Sequence, residues 1–193
     1  MVVKTVSLAG WQRFALIVAP VVAIFFSLFV AVSPARANGL VEPFIGDYVG
    51  AAEIVGADGE RIQRDMNVSI RSAKKGFTVD WTSTTRKPDG RFKAKSYSIT
   101  FLQTDRAGIY SAGMRQNVFG HSVPLDPIKG EPFVWGRIRG DTLTIFSLFV
   151  DENGDYEMQQ FDRTLADGGL ILKFSDLRNG ETLRSVETFL ERR

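Results

Sequence analysis

The sequence predicts an all-β protein: an antiparallel up-and-down meander of about 8–10 strands closed into a barrel, after an N-terminal signal peptide. Three observations predict it. From Phe44 onward, turn signatures rich in Gly, Asn and Asp recur every ten to fifteen residues. Between them, apolar and polar side chains alternate with the period of two of a half-buried strand. No segment after the first 37 residues combines a 3.6-residue period with a helix cap.

The leader comes first. Lys4 and Arg13 precede an apolar run from Phe14 to Val32, and Ala35-Arg36-Ala37 supplies the small residues of a cleavage site. This is the pattern of a secretory signal peptide cut before Asn38, or of an uncleaved anchor, since the run approaches the roughly 20 residues that span a bilayer. Either outcome exports residues 38–193 as a single domain, in the periplasm or outside the cell. With the leader removed, 21 Lys+Arg stand against 22 Asp+Glu, so the formal charge drops from +2 to −1. The basic surface that nucleic acid requires is therefore not a property of the exported part. There is no cysteine, which excludes disulfides, thiol catalysis and zinc–thiolate sites.

The strands follow in order. We place them near 44–55, 61–72, 77–86, 91–103, 108–114, 133–138, 142–150, 155–165, 169–177 and 181–191. Met66, Val68 and Ile70 share one face of the second, and Phe77, Val79 and Trp81 one face of the third. In 91–103 the apolar parity switches between Phe92-Lys93-Ala94 and Tyr97-Ser98-Ile99, which predicts a β-bulge. Segment 142–150 is apolar on both faces, so a loop, another layer or a second subunit must cover its outer side. Hairpin after hairpin without helices favours closure, because a barrel removes bare edges.

The opening strand, Gly46-Asp47-Tyr48-Val49-Gly50, resembles that of the calycins: lipocalins, fatty-acid-binding proteins and haem-binding nitrobindins. Those begin with Gly-x-Trp, and Tyr48 stands in the Trp position. Lipocalins also carry an Asp-Tyr in a later turn, as Asp155-Tyr156 does here, and a last-strand Arg that packs over the Trp, the place of Arg192 or Arg193. The resemblance implies a calycin-like barrel. The nitrobindin-type haem ligand is a late histidine, which this chain lacks, so no cofactor is implied.

The longest break in the meander, residues 115–132, holds the single histidine, His121, and three of the seven prolines. Long loops in compact domains are often functional. Read as a lid, it contributes Arg115, Phe119 and His121 to a ligand site, with Tyr48, Trp81, Tyr110 and Trp135 as aromatic walls or core. Asp126 and Glu131 flank His121 and would permit acid–base work, although carboxylates in such loops usually make turns. Arg64 falls in phase with Met66 and Val68, which would put it inside to meet a ligand carboxylate or an internal acid; the favoured reading is that the strand starts at Asp65 and leaves it exposed. Residues 61–115 carry 12 Lys+Arg against 4 Asp+Glu, a basic wall or a solvated outer face.

These residues support binding of a small, largely apolar molecule in the cell envelope. The rival is a structural or interaction module with a dry core, meeting an envelope protein, an anionic membrane surface or a second copy of itself. One histidine without companions makes no metal site, and no nucleophile–base–orienter set can be named, so catalysis is not predicted.

Overall fold

A computed structural model describes residues 37–55, 61–87, 90–113, 115–116 and 122–193. Residues 1–36 of the leader, Phe119 and His121 lie outside the described residues. The strands are β1 (Gly46–Val55), β2 (Arg61–Ala73), β3 (Gly76–Arg86), β4 (Phe92–Gln103), β5 (Ile109–Ala112), β6 (Arg115–Gln116), β7 (Ser122–Val123), β8 (Phe133–Arg139), β9 (Thr142–Val150), β10 (Tyr156–Ala166), β11 (Gly169–Arg178) and β12 (Glu181–Arg192). Ten of them form a closed antiparallel barrel in the order β1-β12-β11-β10-β9-β8-β5-β4-β3-β2. Each hairpin neighbour in sequence is a neighbour in space, and β1 closes the ring on β12 through Tyr48↔Arg192 and Val49↔Glu191. The all-β up-and-down barrel read from the sequence is the observed architecture.

Closure depends on a close approach. A Cβ on Gly50 would lie 2.5 Å from the Phe189 carbonyl and 2.7 Å from Leu190 Cδ2, so only glycine lets β1 seat against β12. Beside it, the Thr188 hydroxyl donates to the Ala51 carbonyl at 2.6 Å.

The two ends of the barrel differ. Between the 3-10 turn Glu42–Phe44 and β1, the chain enters at one end, where Val41, Phe44 and Tyr48 are fully buried. The Tyr48 hydroxyl donates to the Phe44 carbonyl at 2.8 Å and accepts from Arg192 at 2.7 Å. Arg192 also reaches the Pro43 carbonyl at 2.8 Å and lies over the Tyr48 ring, 5.2 Å from its centroid. This end is plugged. The residues from 44 to 45, expected as strand, form this entry turn, because Pro43 fits the first turn of a helix and donates nothing to a ladder.

Above the plug the interior is packed. Phe77 stacks on Phe101 at 5.0 Å and meets Tyr110 edge-on at 4.9 Å, arrangements worth about 0.5–1.5 kcal/mol each beyond the area they bury. Gly136 faces them, and a Cβ there would stand 3.3 Å from Phe101.

Two expectations are revised or filled in. The β3–β4 ladder runs from Gly76↔Leu102 to Arg86↔Phe92 without a register shift, so the parity switch in β4 is not a bulge. It marks the level at which the inner face changes from packed core to polar: Ile99 and Phe101 point inward below, Lys93 and Lys95 above. A shift does occur in the β11–β12 pair, between Asp176 and Leu177. On the outer side of β9, Phe146 stacks on Trp135 of β8 at 4.7 Å and Arg137 lies over the same ring at 5.4 Å. The 3-10 turn Pro127–Lys129 also lies against β9.

The 115–132 segment carries structure of its own. Arg115↔Val123 and Gln116↔Ser122 pair as a two-stranded ribbon separate from the barrel. Asp126 caps the following turn by accepting from the Ile128 N–H at 3.1 Å, while Glu131 accepts from the Asp126 N–H at 3.1 Å. Both carboxylates serve the turn.

Candidate functional site

The end opposite the plug holds a cavity of about 370 Å³, within the size range of small-molecule sites. Strand register explains who lines it. Along β10 the inward positions are Gln159, Phe161, Arg163 and Leu165; Arg163 pairs with Leu143 on one side and Leu172 on the other, and Phe161 with Phe174. On β3, inward Trp81 and Thr85 pair with Tyr97 and Lys93 of β4.

An aromatic chain crosses the lumen. Tyr97 stacks on Trp81 at 5.0 Å, Trp81 meets Phe161 of the opposite wall at 6.3 Å, and Phe161 packs on Phe174 at 4.7 Å. β3 and β10 stand half the ring apart, so these side chains bridge the barrel. One inward position deeper than Phe161 sits Arg163, 2 % exposed. Burial pulls its guanidinium down to about 10, only partly opposed by the Asp162 charge.

Around the mouth stand Arg64, Lys87, Lys93, Lys95 and Arg184, and among the described residues no Asp or Glu lines the cavity. Arg184 is held by Asp176 at 2.7 Å. Arg64 donates from Nε to Thr85 at 3.3 Å, and desolvation, then the Arg184 charge, lowers its pKa. On this side β4 pairs with β5 only over Phe101–Gln103, and residues 92–98 are exposed, so above that level, among the described residues, β4 is paired with β3 alone. The rim itself is braced where Arg178 reaches Asp151 at 2.7 Å and Asn179 reaches Asp155 at 2.9 Å, tying two hairpin turns together.

No protein-family model matches this chain, and no curated protein is significantly similar to it in sequence. The site must be read from its own chemistry.

Of the residues singled out from sequence, Arg64 and Trp81 line the cavity. β2 begins at Arg61, three residues before Arg64, which places Arg64 on the inner face with Met66 and Val68. Tyr48 and Tyr110 belong to the packed half. Trp135 points outward, between Phe133 at 5.6 Å and Phe146. Arg115 belongs to the side ribbon, and Phe119 and His121 fall outside the described residues.

Sequence reasoning missed Arg163, Phe161, Phe174, Arg184 and the inward direction of Lys93 and Lys95. The signal for the lysines was the parity switch itself. For Arg163 it was the shared parity of Phe161, Arg163 and Leu165, obscured because β10 (YEMQQFDRTLA) mixes polar residues onto both faces.

Proposed function

We propose that this protein is an exported, calycin-like barrel that binds a small molecule with an apolar body. The observation that carries the reading is the aromatic-lined cavity in the open half of a barrel whose other half is plugged and packed. A concave, largely apolar pocket with a few convergent polar groups is the usual form of a small-molecule site. Export is supported by the basic start, the apolar run and the Ala35-Arg36-Ala37 ending of the leader. The calycin likeness is supported by Gly46-Asp47-Tyr48 and by the last-strand Arg192 packed over Tyr48.

Native mass spectrometry of the protein, released gently from an exporting host, tests this reading. The expected result is a species heavier than the chain that falls to the bare mass on denaturation. A bare chain, together with unchanged Trp81 fluorescence across a panel of apolar and amphiphilic molecules, would overturn it.

A second reading draws on the outer face of β8 and β9, where Phe133, Trp135 and Phe146 form a half-buried aromatic row. Such a row suits contact with an envelope protein or another copy of the chain. A strict monomer in gel filtration, retained with Trp135→Ser, would leave it without support.

A further inference from the structure

The geometry points to an anionic amphiphile as the ligand, entering acid group first so that its carboxylate-like head seats on Arg163 at the cavity floor. This deepens the ligand-binding reading and rests on it. Arg163 is 2 % exposed, and its Nε and Nη1 have no hydrogen-bond partner. Buried guanidinium donors are expensive to leave unmade, and Arg163 borders the cavity although these two donor atoms are themselves buried.

The protein supplies little to satisfy it. Phe161 offers its ring face at 5.7 Å. Asp162, next along the strand, points to the outer face, where Thr144 and Gln160 each donate to its carboxylate at 2.7 Å. Asp176, the buried carboxylate of the neighbouring strand, is engaged by Arg184. Among the described residues, no acid lines the cavity.

A ligand would complete what is missing. Guanidinium donors match a carboxylate in a planar, two-pronged geometry, which favours a monoanionic oxyacid over a neutral hydroxyl. Above the head, Phe161, Phe174 and Trp81 are placed to hold an apolar body. At the mouth, Arg64, Lys87, Lys93 and Lys95 set up a positive field that draws anions in and weakens with salt.

The test is calorimetric titration of the exported protein with matched probes: decanoate against decan-1-ol, 2-naphthoate against 2-naphthalenemethanol, and acetate alone. The expected result is that at least one acid binds about tenfold or more tightly than its alcohol, the effect of a charge-assisted hydrogen bond, with acetate far weaker. Arg163→Met should bring acid and alcohol within about twofold of each other. Alcohols binding as well as acids would overturn the anion seat and leave the cavity reading standing. No binding by any of the four amphiphiles would overturn both. Acetate binding as tightly as the amphiphilic acids would replace the proposal with a seat for a small free anion. If Arg163→Met does not fold, Arg163→Lys, which keeps the charge but loses the fork, should retain a reduced preference; an unreduced one overturns the proposal.

Discussion

Arg184 and Asp176 face one another across the β11–β12 pair, with Nη2 2.7 Å and Nε 2.8 Å from the same carboxylate oxygen. Asp176 is 1 % exposed and its other oxygen has no partner, so this single contact compensates a buried charge. It sits at the register shift of the pair.

Arg184→Leu should therefore destabilise the protein by about 2 kcal/mol, less than for a wholly buried pair because Arg184 is half in solvent. Asp176→Leu/Arg184→Leu should recover most of that loss, since both charges leave together. Urea midpoints for the single and double variants decide it; equal stability of Arg184→Leu and the parent protein would show that Asp176 does not depend on this partner.

Arg163 predicts the opposite sign. Arg163→Met removes an under-satisfied buried cation and keeps most of the side chain's length, so the ligand-free protein should gain about 1–3 kcal/mol. Binding would then be traded for stability, as at many functional sites. Thermal and urea unfolding of the stripped protein check this. A destabilised variant would mean that the guanidinium is better satisfied than its contacts indicate.

Gly50→Ala probes the seam. The added methyl would meet the Phe189 carbonyl at 2.5 Å, a contact with backbone that cannot turn aside. Strain of this kind costs about 1–3 kcal/mol, and it should appear first as faster amide exchange at the ends of β1 and β12. Exchange unchanged along both strands would argue that closure tolerates a wider gap.

Two tyrosines set an alkaline limit. Burial raises the pKa of Tyr48, with Arg192 partly opposing, and burial raises that of Tyr110, both from an ordinary value of 10.0. The fold favours their neutral forms. Their contribution is fully present below pH 10 and is lost as pH rises from there through the folded-state values. Stability should thus fall on that alkaline limb, and Tyr48→Phe or Tyr110→Phe should flatten the fall. Tyr48→Phe should also cost about 1–2 kcal/mol near neutrality, since it removes the bond to the Phe44 carbonyl and the acceptor for Arg192. Absorbance titration at high pH, with unfolding curves alongside, measures both effects.

The local code of this chain was unusually plain. Asn-Gly, Asp-Gly and similar turns divided the strands, and the period of two along 66–70 and 77–81 gave their inner faces. Even the placement of Arg64 was readable from its phase, once the start of β2 was known. All of these are short-range properties: a turn needs its own residues' φ and ψ, and a strand's two faces are set by adjacent side chains. They determined an all-β meander of about ten strands.

What they could not determine is depth and company. Whether Lys93 and Lys95 face a core, a cavity or solvent depends on where β4 loses its neighbour, which follows from the short β5. Whether Arg163 has a partner depends on Asp162 facing outward to Thr144 and Gln160, and Trp81 reaches Phe161 because β3 and β10 stand opposite one another. Trp81 and Phe161 lie some 80 positions apart and meet through the register of a closed ring, which no alternation within one strand encodes. The sequence determined the strands and their faces; the closing of the ring decided which face holds a core, and which an uncompensated charge.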